Sequence, residues 1–152
     1  MWPVCRGQLI KPPNKKIFYI PQKPYLTIGS LRDQIIYPDT LEDMHEKGIN
    51  DDNIRQILSK VELDYLLERE YDLNSVLDWQ EMLSGGEKQR IAIARLIYNR
   101  PLFAILDECT SAVSMDVEQS IYSYLTKEIG CTVLSVTHRV KQLQHFHQMA
   151  LK

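Results

Sequence analysis

Leu83-Ser84-Gly85-Gly86-Glu87-Lys88-Gln89-Arg90 is the stretch that decides the fold. Ser84 followed three residues later by Glu87 is a helix capping box, and two glycines lie inside it. Apolar residues then recur at helical spacing until Asn99-Arg100-Pro101 ends the pattern, namely Ile91, Ala94, Ile97 and Tyr98. The pattern predicts a helix whose first amides are free, and such helix starts bind anions.

A short apolar run follows this helix and ends in two acids. Phe103-Ala104-Ile105-Leu106 has the form of a strand buried on both faces of a parallel sheet, and Asp107 and Glu108 come directly after it. Ligands of open parallel sheets bind at the carboxyl ends of the strands. Two acids at that place suit nucleotide chemistry, because one can hold Mg²⁺ while the next orients and deprotonates an attacking water.

In this order the two motifs resemble those of an ABC-type ATPase domain. The signature motif of that family reads LSGGQ, and its Walker B motif is an apolar run that closes in Asp-Glu; the matching stretches here are Leu83 to Glu87 and Phe103 to Glu108. Further positions follow in the family's order. Gln22 resembles the Q-loop glutamine, Ser111 to Ser114 the D-loop, and His138 the switch histidine.

The resemblance narrows to the D subfamily, which comprises half-transporters, mostly of the peroxisomal membrane, that move fatty acids or their CoA esters. It runs from about Trp2 to His147 and is carried by residues 18–25, 31–39, 83–90 and 106–114. Ser114 is diagnostic, because most ABC domains carry Asp at that place and the D subfamily carries Ser. Cargo and compartment rest on this likeness alone, and a lysosomal or ER member with a cobalamin-type cargo is the alternative.

The resemblance implies a head-to-tail sandwich of two ATPase domains that takes ATP and Mg²⁺. Asp107 and Gln22 would support Mg²⁺, partly through water, while Glu108 acts on water and His138 contacts the γ-phosphate. The implied nucleotide contacts are Gln22, Leu83, Ser84, Gly85, Gly86, Glu87, Ser114 and Asp116. The implied partners are a second ATPase domain, in a homo- or heterodimer, and the transmembrane domain of the same transporter. This places the chain at the cytosolic face of a membrane, most simply the peroxisomal one.

The sequence contains no Walker A loop. That loop needs GxxxxGK[ST], and none of the six glycines is followed five residues later by Gly-Lys. The resemblance therefore implies that the chain begins just downstream of that loop, and that these residues alone are an incomplete and inactive ATPase. A nucleotide-independent interaction module that docks on a full-length partner is the alternative function.

The expected fold is α/β, a P-loop NTPase-like parallel sheet with covering helices and an inserted helical subdomain, incomplete at its N-terminus. Ser30 is expected to cap a short helix, Asn50 or Asp51 a longer one, and a further helix to run from near Asp116 to Gly130. One partial ATPase domain is expected over 1–152, divided into a strand and Q-loop region, a helical subdomain, and a region with the signature helix, Walker B, D-loop and switch: 1–29, 30–82 and 83–152.

Composition excludes several other classes of function. The 152 residues carry a net charge of -2, which gives no general attraction for nucleic acid, and no apolar run approaches the ~18 residues of a membrane span. Membrane attachment would then come only through the transmembrane domain. ABC ATPases that act on DNA insert long coiled coils between Q-loop and signature, whereas only 61 residues, 23 to 83, separate Gln22 from Ser84 here.

Several reactive side chains are expected to have structural roles only. His145 and His147 form an isolated HxH without a third ligand. Cys109 has no obvious base beside it, and the three cysteines, with Cys5 and Cys131, are consistent with free thiols. Arg90 and Arg95 are expected to serve the helix surface or ion pairs.

Overall fold

A three-stranded parallel sheet organises the chain, as predicted. The computed structural model describes residues 10, 12–13, 16–68 and 72–149. Strands β1 (Ile17–Ile20), β4 (Phe103–Asp107) and β5 (Thr132–Val136) pair in the order β1-β4-β5. All three run in the same direction, so their carboxyl ends meet at one edge of the sheet. The residues that follow each strand therefore lie close together.

The described residues cover only one face of this sheet. Ala104 and Leu106 on β4 are each 1% exposed, whereas Phe103 is 38% exposed and Leu134, on β5, is 59% exposed. The expectation that β4 is buried on both faces is therefore wrong for this part of the chain. The register explains the difference, because alternate residues of paired strands point to the same side and only one side receives the described helices.

The signature stretch forms the longest described helix. Helix α6 (Gly85–Asn99) begins after Ser84 and ends at Arg100, which has a left-handed backbone conformation (φ 42°). Its residues 91–98 are all buried, so this part of the helix is buried on every side and not only along the single apolar stripe expected from the sequence. Helices α1 (Leu31–Ile36) and α3 (Asp51–Lys60) pack against α6, so the helix joins the sheet to the helical block before it.

The block between residues 30 and 82 is largely helical, as predicted. Besides α1 and α3 it contains α2 (Leu41–Glu46), α4 (Tyr65–Glu68) and α5 (Trp79–Met82). Ser30 caps α1, and of the two candidates for α3 it is Asn50 that caps the helix. The block also holds a two-stranded antiparallel pair, β2 (Gly29–Ser30) and β3 (Val76–Leu77), which the sequence did not reveal because two residues are too few to display an alternating pattern.

The helix after β4 is less regular than expected. Helix α7 (Met115–Ser123) is capped by Ser114 and continues as a π-helical turn, Tyr124–Glu128, before Gly130 at φ 72°. The side chains of Val117, Ile121 and Leu125 are buried, as predicted. The chain closes with α8 (Val140–Leu143) and a 3₁₀ turn, Gln144–Phe146. Among the described residues, no helix combines the length and apolarity needed to cross a bilayer.

Arg95 departs from its expected place on the helix surface. It is 6% exposed, and its guanidinium donates to the backbone carbonyls of Gln34 and Tyr25. Burial lowers its pKa to about 10, which still leaves the group charged at neutral pH. Arg90 does lie partly exposed, where it donates to the carbonyl of Glu62 (2.9 Å) and to the hydroxyl of Tyr65 (3.3 Å). Arg95 therefore ties α6 to the segment after Gln22, a role that the apolar pattern of α6 does not suggest.

Candidate active site

Glu108 is the centre of a cluster at the carboxyl edge of the sheet. Gln22 Nε2 donates to its Oε2 (2.8 Å), and His138 Nε2 lies 2.8 Å from its Oε1. The three residues follow β1, β4 and β5 respectively, so the parallel register brings them together. The Glu108 side chain is 23% exposed, which leaves it open to water.

The backbone at Glu108 is held in an uncommon conformation. Its φ is 48°, in the left-handed region that residues other than glycine seldom adopt. The amide of Glu108 donates to the carbonyl of Val136 (2.9 Å), which continues the pairing of β4 and β5 past the end of β4. Such strain clusters at functional sites, where the surrounding structure holds it in place. In this conformation the Glu108 side chain contacts Gln22 and His138.

Asp107 lies beside Glu108 but has a different environment. Its Oδ2 accepts a hydrogen bond from the hydroxyl of Tyr19 (3.1 Å). This hydrogen bond, together with desolvation and the Asp107 charge, raises the pKa of Tyr19. The described residues contain no group of three His, Cys, Asp or Glu suited to a metal. A single carboxylate nevertheless fits Mg²⁺, which is usually held by one or two carboxylates, waters and substrate phosphates.

The start of α6 is a capping box with an open glycine. Glu87 accepts from the amide of Ser84 (2.7 Å), and the Ser84 hydroxyl accepts from the amide of Glu87 (3.4 Å). A Cβ at Gly85 would meet nothing within 4 Å, whereas one at Gly86 would lie 2.9 Å from the carbonyl oxygen of Ala112. Gly85 is therefore accessible to a neighbour, and Gly86 allows close approach of the loop after β4.

Two predicted nucleotide contacts have side chains engaged within the chain. Leu83 is 5% exposed and belongs to the core. The Glu87 carboxylate also accepts a hydrogen bond from Tyr65. Partial burial raises the pKa of Glu87, but the hydrogen bonds from Ser84 and Tyr65 outweigh it and lower the pKa below its usual value. A ligand at these two positions would meet backbone rather than free side chains.

The loop of residues 111–114 lies between α6 and the Glu108 cluster. Gln89, 6% exposed on α6, donates to the hydroxyl of Ser111 (3.1 Å) and accepts from the amide of Ala112 (3.0 Å). Ser114 is exposed and caps α7, and Asp116 is exposed in the first turn of that helix. Sequence reasoning missed Gln89, because nothing in the helical pattern of α6 marks this polar residue as buried.

A small cavity adjoins Glu108. It has a volume of about 60 Å³, and it is lined by Glu108, Thr110, Ser111, Glu118, Thr137, His138 and Arg139. The space is large enough for water, and several polar side chains lie at its wall. The cavity therefore places the carboxylate of Glu108 and the imidazole of His138 beside a position that water can reach.

Cys109 and His147, two of the residues expected to have structural roles, are engaged in the fold. Cys109 is 1% exposed, and burial raises its pKa to about 12, so it is a neutral thiol. His147 contacts the carbonyl of Leu143 and the hydroxyl of Ser135, each at 3.0 Å, while His145 is exposed. Cys5 lies outside the described residues.

Comparison with known proteins agrees with the motifs. Residues 5–111 match a protein family described as ABC transporter. The chain is 54% identical over 151 residues to ATP-binding cassette sub-family D member 3 of Mus musculus, which covers 99% of this chain and 23% of the relative. It is 55% identical over 143 residues to sub-family D member 1 of Drosophila melanogaster, covering 91% of this chain and 19% of the relative. The chain thus spans less than a quarter of the length of these curated relatives.

A solved structure shares the fold. A bacterial Atm1-family ABC exporter with ATP bound superposes with a TM-score of 0.67 at 24% sequence identity. The match covers 85% of this chain and 22% of that one. At this identity the likeness concerns the fold alone, and it confirms the expected α/β architecture.

Proposed function

The chain belongs to the ABC transporter family, in its D subfamily, and from this premise we propose that it forms part of the ATP-hydrolysing domain of a half-transporter. The observation that carries the proposal is the contact of Glu108 with both Gln22 and His138 at the carboxyl edge of the sheet. From the order of the motifs, we propose that these residues are the catalytic glutamate, the Q-loop glutamine and the switch histidine of the domain. No observation favours a nucleotide-independent interaction module, and we do not propose it.

Glu108 is proposed to orient and deprotonate the water that attacks the γ-phosphate. Gln22 and His138 hold the two carboxylate oxygens, so the base has a fixed orientation while 23% of its side chain is exposed. His138, whose side chain is 88% exposed, would in turn contact the γ-phosphate. Positioning and charge stabilisation provide most of phosphoryl-transfer catalysis, which matches a site built from hydrogen-bonded side chains.

Mg²⁺ is proposed to be held by Asp107 with Gln22, partly through water. When bound, the ion neutralises charge on the phosphate oxygens. Asp107 ends β4 and accepts from Tyr19, so its carboxylate is oriented before any ion arrives. The aspartate and the neighbouring Glu108 would then separate two tasks, cation binding and activation of water.

The start of α6 is proposed to contact ATP that a second ATPase domain holds. Ser84, Gly85 and Gly86 open a helix of 15 residues, and its first amides together with the helix dipole favour phosphate. The open surface at Gly85 supports a ligand that arrives from a partner. We further propose nucleotide contacts at Leu83, Glu87, Ser114 and Asp116.

We also propose that the partial ATPase domain is divided into three regions: 1–29, 30–82 and 83–152.

The cargo proposed is a fatty acid or its CoA ester, at the cytosolic face of the peroxisomal membrane. Support comes from the D-subfamily motifs, including Ser114, because no described residue would meet cargo in this scheme. The transmembrane domain of the same transporter would carry the cargo path and the membrane attachment.

The function can be tested with and without a Walker A loop. The 152 residues alone should bind ATP weakly and show no turnover, because they contain no GxxxxGK[ST]. A hybrid in which this chain replaces the matching 151 residues of the Mus musculus relative should bind and hydrolyse ATP. Robust hydrolysis by the 152 residues alone, or an inactive but folded hybrid, would overturn the proposal.

A further inference from the structure

Glu118 and Arg139 form an ion pair beside the Glu108 cluster, in which Glu118 is buried and the Arg139 side chain is 31% exposed. Glu118, on α7, is 1% exposed, and its Oε2 accepts from Arg139 Nη1 at 3.2 Å. Its other oxygen accepts from the hydroxyl of Thr110. Burying a carboxylate is costly unless it is paired and hydrogen-bonded, and Arg139 and Thr110 provide both contacts for Glu118. A buried carboxylate with two fixed partners suggests a role in fixing geometry.

The guanidinium of Arg139 holds the loop after β4 as well as Glu118. Nη1 donates to the carbonyl of Val113 (2.9 Å) and Nη2 to the carbonyl of Ser111 (3.1 Å). One planar group thus fixes two carbonyls of residues 111–114 and one carboxylate of α7. A lysine could not reproduce this, because it presents a single point charge without the planar fork.

The Glu118–Arg139 pair is connected to Glu108 in two ways, through His138 and through Thr110. Arg139 follows His138, whose Nε2 is 2.8 Å from Glu108, and Thr110 comes two residues after Glu108. Three side-chain contacts, Glu108 with His138, Arg139 with Glu118 and Glu118 with Thr110, are therefore joined into a closed path by short stretches of backbone. His138 itself is 88% exposed and gains little support from packing. Its position depends on the backbone that Arg139 anchors.

We propose that Glu118 and Arg139 are positioning residues for ATP hydrolysis, which fix His138 and the loop of residues 111–114 relative to Glu108. The inference rests on the proposed function and names two residues that neither touch Glu108 nor contact substrate in the scheme. Misplacement of a catalytic group by about 1 Å can cost on the order of 100-fold in rate. Loss of the fork should therefore reduce turnover more than ATP binding.

Arg139→Lys in the hybrid tests the pair directly. We expect kcat for ATP hydrolysis to fall about 10-fold or more, with KM for ATP changed by less than about twofold. Arg32→Lys is the matched control, because Arg32 is 7% exposed and donates to Asp51 (3.0 and 2.7 Å) and Asn74 (2.7 Å) in the helical block. Both variants should lower the thermal midpoint, and only Arg139→Lys should lower kcat.

A lowered midpoint with unchanged kcat for Arg139→Lys would overturn the inference. Should that variant fail to fold, Thr110→Val removes one hydroxyl from the same network at nearly constant volume, and kcat should fall while KM stays near its original value. An unchanged kcat in a folded Thr110→Val hybrid would also overturn it. An unsubstituted hybrid that folds without hydrolysing ATP would instead refute the proposed function, and with it the premise of the inference.

Discussion

His138 Nε2 lies 2.8 Å from Oε1 of Glu108, although 30 positions, 138 minus 108, separate the two residues in sequence. The contact spans the ends of adjacent parallel strands, because Glu108 follows β4 and His138 follows β5. It leaves the imidazole largely exposed and therefore able to meet a phosphate from outside. The catalytic account predicts that the histidine acts in turnover and contributes little to folding.

Replacing the histidine should separate activity from stability. His138→Ala in the hybrid is expected to lower kcat for ATP hydrolysis by about 100-fold or more, as removal of one donor that stabilises charge in the transition state does. Thermal unfolding should change little, because the side chain is 88% exposed. His45→Ala, at an exposed position of α2, is the control and should keep full activity. Equal activity of the two variants would remove His138 from the mechanism.

The two signature glycines should respond oppositely to alanine. Gly86→Ala would place a Cβ 2.9 Å from the carbonyl of Ala112 and should destabilise the chain by about 1–3 kcal/mol, as overpacking does. Gly85→Ala meets nothing within 4 Å and should leave stability equal or raise it by up to about 1 kcal/mol, since alanine favours a helix. Urea unfolding of the 152-residue chain measures both. Equal losses at the two positions would contradict the geometry at Ala112.

Removal of the cap hydroxyls of α6 and α2 should separate a role in nucleotide binding from a role in stability alone. Ser84→Ala and Thr40→Ala each remove the hydroxyl of a capping box, at α6 and α2, and each should cost about 1 kcal/mol. Only Ser84→Ala should weaken the ATP-dependent association of two ATPase domains in the hybrid, with ATP uptake by a single domain less affected. Equal effects on association and uptake would count against the contact of Ser84 with a partner's nucleotide.

Cys109 should make stability depend on alkaline pH. Burial raises its pKa from 9.0 to about 12, so above pH 9 the unfolded chain loses a proton that the folded chain keeps. The contribution is complete below pH 9 and is lost as pH rises towards 12. Cys109→Ala should therefore show a shallower loss of stability between pH 8 and pH 10.5 in urea unfolding, by up to about 1.4 kcal/mol per pH unit. Parallel pH profiles would contradict this assignment.

Features that depend on residues within a single helix or strand could be predicted from the sequence. The capping box at Ser84, the end of α6 at Asn99 and strand β4 all follow from residues within one element, and the structure confirms them. The buried contacts of Gln89 and Arg95 were not predicted, because their partners, Ala112 and Tyr25, are distant in sequence. The helical pattern of apolar residues also does not show which polar residues are buried. The π-helical turn after α7 was not predicted, because the spacing of the apolar residues there is close to that of a regular helix.

The pairing of Glu118 with Arg139 also could not be predicted from the local sequence pattern. An acid in the first turn of a helix is expected to face solvent, where it favours the helix dipole. Only the fold brings Arg139 to Glu118, by placing the segment after β5 over the start of α7. The order of motifs thus predicted a site at the strand ends, where Gln22 and His138 do contact Glu108, while Glu118 and Arg139 became visible only in three dimensions.

Glu108→Gln in the hybrid tests the central claim most directly. Steady-state ATP hydrolysis should be abolished while the equilibrium affinity for ATP is retained, because the amide keeps the shape of the side chain but cannot accept the proton of water. Glu46→Gln, at an exposed position of α2, should hydrolyse ATP at the unsubstituted rate. A Glu108→Gln hybrid that turns over ATP as fast as the unsubstituted one would contradict the account.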